Sequence, residues 1–256
     1  MEKFVFLCYH ISAIFNPQSL FGRINLLQKE QIMSHRALSL IAYTSVAVFS
    51  GILLGLIFGA AGSWQYAAGW AFWVSFCVPT LMITAFFLKE DPALIERRIF
   101  PVETRPRQLI GQGIAGVLFA ALMILPALDY RNGWSRLPLA VSLAGDAMVI
   151  IGFVIVFFVF RENTFASRAV EIMHHQQVIQ TGPYAVVRHP MYLGALMVIL
   201  AMPFALGSLL GVFIALPLMG VIVCRILDEE KLLRAELDGY SDYCRKTKYR
   251  LIPYVW

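Results

Sequence analysis

Apolar and polar stretches alternate on a long wavelength along this chain. Residues 38–60, 67–88, 109–128 and 138–160 are each apolar for about twenty residues or more. As helices they are long enough to cross a hydrocarbon core of roughly 30 Å. A fifth apolar block, 192–225, is too long for one span, and Pro203 with Gly207-Ser208 near its middle predicts a helical hairpin of two short spans. Polar segments separate these blocks: a short link at 61–66, a charged loop at 89–108, a turn at 129–137 with Asn132-Gly133 at its tip, and longer stretches at 161–191 and 226–256. The pattern predicts an all-α polytopic membrane protein of about six transmembrane helices, four spans plus a C-terminal hairpin. Three regions follow: an N-terminal cytoplasmic or interfacial segment at 1–37, a four-span region at 38–160, and a core at 161–256 made of the hairpin 192–225 and a polar tail.

Details within the blocks add further expectations. Gly51, Gly55 and Gly59 recur every four residues and predict a face for close helix packing. Trp64 and Tyr66 suit an interfacial aromatic belt. Residues 4–15 are apolar but interrupted by Tyr9 and His10, and no small-residue cleavage site follows; a signal peptide is not expected. Asp146 stands inside the fourth span near its end, within expected reach of water.

Composition agrees with a membrane solvent: 59% hydrophobic, 14% charged, mean hydropathy +0.70. A net charge of +5 would by itself allow a nucleic-acid partner. The placement of the basic residues removes that option. With the N-terminus inside, 19 of the 21 Lys and Arg fall on the N-terminal side of the membrane and two on the other. The positive-inside rule then puts both termini, and the polar segment 161–191, in the cytoplasm. Cys8, Cys77, Cys224 and Cys244 have no spacing that fits zinc or a disulfide framework, so no metal is expected.

Candidate chemistry gathers in two polar clusters that flank the hairpin. The first is 177–194, which holds Tyr184, Arg188, His189, Tyr192, two prolines and two glycines. Pro190 biases His189 toward extended backbone and predicts a helix starting at the proline, whose first-turn amides face a ligand. The second is Arg225-Ile-Leu-Asp-Glu-Glu-Lys231, where Arg225 and Glu229 share one helical face. A hairpin brings its ends together, so the two clusters are expected to be neighbours. His174 and His175 have no spacing to argue from and read as solvated.

Together these residues carry a resemblance. Gly182-Pro-Tyr-x-x-x-Arg-His-Pro-x-Tyr-x-Gly194, a hairpin, then Arg225-x-x-x-Glu229-Glu230 resembles the isoprenylcysteine carboxyl methyltransferases, within a wider group that includes phospholipid N-methyltransferases. Tyr240-x-x-Tyr243 with Arg250-Leu-Ile-Pro253 is similar to that family's closing pattern, and Glu162-Asn-Thr-Phe-Ala-Ser-Arg168 resembles its bacterial members. The resemblance covers about 150–256 and implies a bacterial inner-membrane enzyme using S-adenosylmethionine. It implies that Gln177, Val178, Ile179, Tyr184, His189, Pro190, Met191, Tyr192, Gly194 and Glu229 hold the cofactor. Arg225, Glu229 and Glu230 would be the catalytic set, with Arg225 on the substrate. Ala169 departs from the eukaryotic pattern, which has a polar cofactor contact there.

The residue chemistry is compatible with that implication. Tyrosine faces suit a sulfonium, Val178 and Ile179 can sandwich adenine, and Glu229 can pair with an ammonium or a ribose. The expected partner is a lipophilic acceptor drawn from the membrane. A carboxylate acceptor would need no base and would pair with Arg225; a phospholipid amine would need Glu230 or His189 as base; a thiol is a third option. Two other classes stand beside this reading. Some membrane sterol reductases have a similar Arg-His-Pro-x-Tyr-x-Gly segment and use NADPH, and a transporter or scaffold would bind no cofactor here. Oligomeric state is not legible.

Overall fold

A computed structural model describes residues 34–100, 105–135, 137–165 and 177–256. Cys8, the 4–15 segment, Ala169, His174 and His175 lie outside the described residues. The fold is all-α, and residues 39–256 form one compact unit.

The helices follow the hydropathy pattern closely at the start. α1 is His35–Ala61, α2 Ala67–Glu90, α4 Pro106–Asn132 and α5 Leu139–Glu162, all four long and apolar enough to cross a membrane. Large apolar side chains such as Val117 and Phe213 are 70% and 69% exposed, as a lipid solvent permits. Gly133 ends α4 at φ 67°, the left-handed cap expected of the Asn-Gly tip.

Three features depart from expectation. The charged stretch 89–108, read as a solvated loop, contains a two-turn helix, α3, Pro92–Ile99. Asp91 caps it by accepting from the Leu94 amide at 3.0 Å, Pro92 occupies the first turn, and Leu94 and Ile95 are buried. Asp146 does not reach water: it is 7% exposed and accepts from the Ser75 hydroxyl at 2.7 Å. The glycine stripe of α1 meets no partner among the described residues, where a Cβ at Gly51, Gly55 or Gly59 would find no atom within 4 Å.

Close helix contact occurs instead between α5 and α6, Pro190–Ala205. A Cβ on Gly152 would lie 2.8 Å from the Gly194 carbonyl, and one on Gly194 would lie 2.8 Å from the Gly152 carbonyl. Gly145 meets the Ala205 backbone in the same way. The two helices therefore touch backbone to backbone along this seam. The chain then turns through Gly207, at φ 69°, into α7, Val212–Glu236, and ends with α8, Tyr240–Lys246. α6 is a short apolar helix, and α7 runs unbroken from apolar residues into the charged Arg225–Glu236 segment, so the hairpin is less symmetric than two equal spans.

Candidate active site

The site is built where the end of α5, the start of α6 and the charged half of α7 converge. Thr181 donates through its hydroxyl to Glu162, the last residue of α5, and Gly182 follows at φ +56°. A side chain at 182 would crowd the Glu162 carboxylate at 2.8 Å as well as straining the backbone. A single 3-10 turn, Gly182–Ala185, presents Tyr184. Its hydroxyl accepts from Asn163 Nδ2 at 2.8 Å, and its carbonyl accepts from the Tyr243 hydroxyl at 2.7 Å. Burial pushes the Tyr184 phenol up to about 12, with Glu229 adding to the rise and Asn163 and Arg98 opposing it. Tyr184 is a neutral hydrogen-bonding phenol at any physiological pH.

His189 precedes α6 in non-helical backbone, and Pro190 opens the helix, as expected. Beneath them Glu230 is a hub. Arg188 Nε donates to its Oε1 at 2.7 Å and Arg250 Nε to its Oε2 at 2.8 Å, while His189 Nε2 lies 3.3 Å from Oε1. The Arg188, His189 and Glu230 side chains are each 4% exposed. Burial alone would raise the Glu230 carboxyl; the hydrogen bonds from His189, Arg188 and Arg250 outweigh it and hold the group down at about 2. An ionised carboxylate only accepts, so the contact from His189 Nε2 requires a proton on that nitrogen.

Residues 247–250 close over this hub. Arg188 donates from Nη1 to the carbonyls of Thr247 and Lys248 at 2.9 and 2.7 Å. The backbone amides of Arg188 and His189 donate to the Tyr249 and Arg250 carbonyls, both at 2.9 Å. One buried carboxylate and the Arg188-His189 backbone thus join three segments of the chain.

A second chain of contacts runs beside the hub. Arg225 Nε donates to the Tyr192 hydroxyl at 2.9 Å, and that hydroxyl donates to Glu229 Oε2 at 2.5 Å. The structure therefore brings Tyr184, His189, Pro190, Tyr192, Arg225, Glu229 and Glu230 to one end of the bundle. Met191 joins them, its Sδ 3.9 Å from Arg98 Nη1. Gln177 is exposed and Val178 and Ile179 half-buried, in irregular chain leading to the 3-10 turn. Gly194 lies one turn deeper, in the α5–α6 seam.

Two residues outside the candidate set also belong here. Arg98, from α3, places its guanidinium 4.4 Å from the centre of the Phe160 ring and against Met191. Nothing distinguishes it in sequence from the other charges of 89–108. Tyr240, in α8, is 4% exposed and its hydroxyl has no hydrogen-bond partner among the described residues. Burial pushes its phenol up, and the nearby Glu230 and Glu229 charges push it further. A buried hydroxyl without a partner is unfavourable, and this one stands beside the two glutamates. Among the described residues no group of three or more His, Cys, Asp or Glu could hold a metal ion.

Comparison with known proteins bears on this half of the chain. Residues 141–237 match the family described as phospholipid methyltransferase, a segment that runs from α5 to the end of α7. An 84-residue stretch is 37% identical to the Delta(14)-sterol reductase of Mus musculus, covering 32% of this chain and 20% of that protein. The chain thus spans about a fifth of the curated relative it matches. The wider methyltransferase group read from the motifs is the one matched; the isoprenylcysteine branch is not singled out. Arg98, Tyr240 and Arg250 all lie outside the 141–237 segment.

Proposed function

We propose that this protein is an integral-membrane methyltransferase that uses S-adenosylmethionine to methylate a lipophilic carboxylate, as in isoprenylcysteine-type O-methylation. One observation carries the choice of acceptor: both glutamates are already engaged. Glu230 is locked by Arg188, His189 and Arg250 with its carboxyl held at about 2, and Glu229 accepts from Tyr192. A carboxyl so acidic is a poor general base, and an amine acceptor needs one. A carboxylate acceptor does not. Arg188 and Arg250 both bond Glu230, and Arg225 reaches Glu229 through the Tyr192 hydroxyl; that cationic setting favours an anionic acceptor over an ammonium headgroup.

The residues fit the cofactor. Tyr184 and Tyr192 offer ring faces for a cationic sulfonium. Val178 and Ile179 offer apolar surface to an adenine, with Gln177 beside them. His189, Pro190 and Met191 would line the entry to α6. Glu229, together with the unpartnered Tyr240 hydroxyl, offers polar contacts for a ribose or an ammonium. Gly194 would act indirectly, by letting α6 approach α5. The bound cofactor supplies an electrophilic methyl group. The chain's own task is to orient the acceptor through Arg225, whose guanidinium is steadied by Tyr192, and to keep water from the reacting atoms. Glu230 is then a positioning residue, acting through Arg188 and His189.

Purified protein incubated with radiolabelled S-adenosylmethionine and prenylcysteine, fatty-acid, phospholipid and thiol acceptors tests the reading. Base-labile label on a carboxylate acceptor is the expected result. Label on phospholipid amine alone would overturn the choice of acceptor. His189→Ala and Glu229→Ala are expected to abolish transfer.

The identity to the mouse reductase favours a second reading, an NADPH-dependent reductase built on the same segment. Calorimetry separates the two: S-adenosylhomocysteine is expected to bind and NADPH is not, and the opposite pattern would replace the first reading with the second.

A further inference from the structure

A second polar cluster lies at the other end of the bundle. There a cavity of about 680 Å³ opens among Gln65, Tyr66, Tyr130, Arg131, Ser142 and Gly207. Its frame is tightly bonded. Tyr66 is 2% exposed, donates its hydroxyl to the Leu206 carbonyl and stacks its ring on Tyr130 at 4.2 Å. Asp129, 1% exposed, accepts from the Ser135 amide at 2.6 Å and from the Ser135 and Ser208 hydroxyls. These bonds tie the α4–α5 connection to the turn between α6 and α7, so the cavity wall has its shape without a ligand.

The polar groups that line the cavity are left over from that frame. The Gln65 side-chain amide, the Tyr130 hydroxyl, the Arg131 guanidinium and the Ser142 hydroxyl belong to residues that line the cavity, and none of these groups bonds within that frame. Ser142, 4% exposed, lines the cavity from within the bundle. Gly207 faces it: a Cβ there would stand 3.5 Å from Ser142 Oγ. Arg131 is the one charged side chain among the described residues of the lining.

We infer that this cavity is a binding site, separate from the candidate active site, for the phosphate headgroup of an anionic membrane phospholipid. One guanidinium surrounded by neutral donors is the chemistry that receives a group with several acceptor oxygens. The volume suits a headgroup better than a bare ion. The level is also right: Trp64 and Trp134, 68% and 59% exposed, stand on the neighbouring connections, where amphipathic rings mark the boundary between hydrocarbon and water. The acyl chains of such a lipid would lie along the exposed apolar faces of the spans.

Thermal unfolding of the full chain in a mild neutral detergent tests this. The probes are dihexanoyl-phosphatidylglycerol, dihexanoylglycerol and inorganic phosphate. The phospholipid is expected to raise Tm in a saturable way, and neither of the others is. Arg131→Gln is expected to weaken the phospholipid response at least tenfold, and Ser142→Ala to weaken it severalfold. Arg131 is exposed, so its replacement leaves the fold intact. An equal response in the unmodified protein and Arg131→Gln would overturn the site. A full response to inorganic phosphate alone would overturn the lipid as its occupant. His189→Ala, in the other cluster, is expected to leave the response unchanged, whatever the outcome of the methyltransferase assays.

Discussion

Two sets of glycines in this protein look alike in sequence and do opposite things. Those of α1, Gly51, Gly55 and Gly59, form the more regular stripe, yet a methyl group on any of them would touch none of the described residues. Those of the α5–α6 seam, Gly145, Gly152 and Gly194, follow no single period across the two helices, yet each sits against a backbone. Small-residue spacing states that a helix is able to approach another. It does not say whether a partner arrives. What brings the partner to the seam is the hairpin, which lays α6 along α5 and so carries His189 and Tyr192 to the end of α5 where Asn163 and Tyr184 wait.

The largest test of this contrast is Gly152→Leu. The new side chain would collide with the Gly194 carbonyl and Val198, and the expected loss of stability is at least the ~1–3 kcal/mol typical of overpacking. Cofactor binding should vanish with it, read by thermal unfolding and S-adenosylhomocysteine titration on the same sample. Retention of both would mean that the seam does not hold the site.

Glu230→Gln comes next, because it disrupts the hub resting on that seam without touching the seam itself. Removing one partner from a buried ion pair costs on the order of 3–5 kcal/mol, and here two arginines lose their counter-charge. The same residue predicts acid sensitivity. Its folded-state carboxyl is lowered from 4.5 to about 2, so the unfolded chain binds the proton more readily. The stabilisation is complete above about pH 4.5 and is lost as the pH falls toward 2, on the order of 3 kcal/mol for this shift. Unfolding midpoints between pH 6 and 3 should fall in the parent and fall much less in Glu230→Gln; parallel curves would remove Glu230 as the cause.

Tyr240→Phe separates binding from folding. Its hydroxyl has no partner among the described residues, so its loss should leave Tm unchanged or slightly higher while weakening S-adenosylhomocysteine several-fold. A fall in Tm with unchanged affinity would mean that the hydroxyl serves the fold. The smallest effect is expected from Gly55→Ala, which has room for its methyl and gains up to ~1 kcal/mol of helix propensity. A clear loss there would reveal a partner for α1, such as a second copy of the chain, and would end the contrast.

The fold was legible where the signal was long-range hydropathy. All four long spans lie within a few residues of the apolar blocks that predicted them, because a bilayer's thickness is a strong constraint on length. α3 was not legible, since eight residues carrying two arginines and a glutamate are read by charge, and its buried Leu94-Ile95 pair is too short for a period. The motif residues of the candidate site lie together as the hairpin pattern implied, with Arg225 and Glu229 beside Tyr192. What sequence could not reveal was division of labour. Adjacent glutamates, Glu229 and Glu230, face different partners one helical step apart, and only the path of residues 247–250 determines which is buried. Arg98 stayed hidden for a similar reason, reaching the site through tertiary contact alone; Tyr240 stood in the closing pattern, but its place beside the glutamates is likewise set by tertiary contact.

The strap of residues 247–250 also sets an order of events. Arg188 draws its partners from 42, 59 and 60 positions further along the chain. During synthesis every helix through α7 is therefore made before the segment that completes the arginine's surroundings. Until Lys248 emerges, Arg188 has at most the Glu230 carboxylate and no carbonyls to satisfy its guanidinium. Membrane insertion and maturation of the site are separable in time, with the apolar bundle first and the polar end last. Pulse-labelled ribosome-bound chains stalled after α7 would report this as protease-protected helices that do not yet retain S-adenosylhomocysteine.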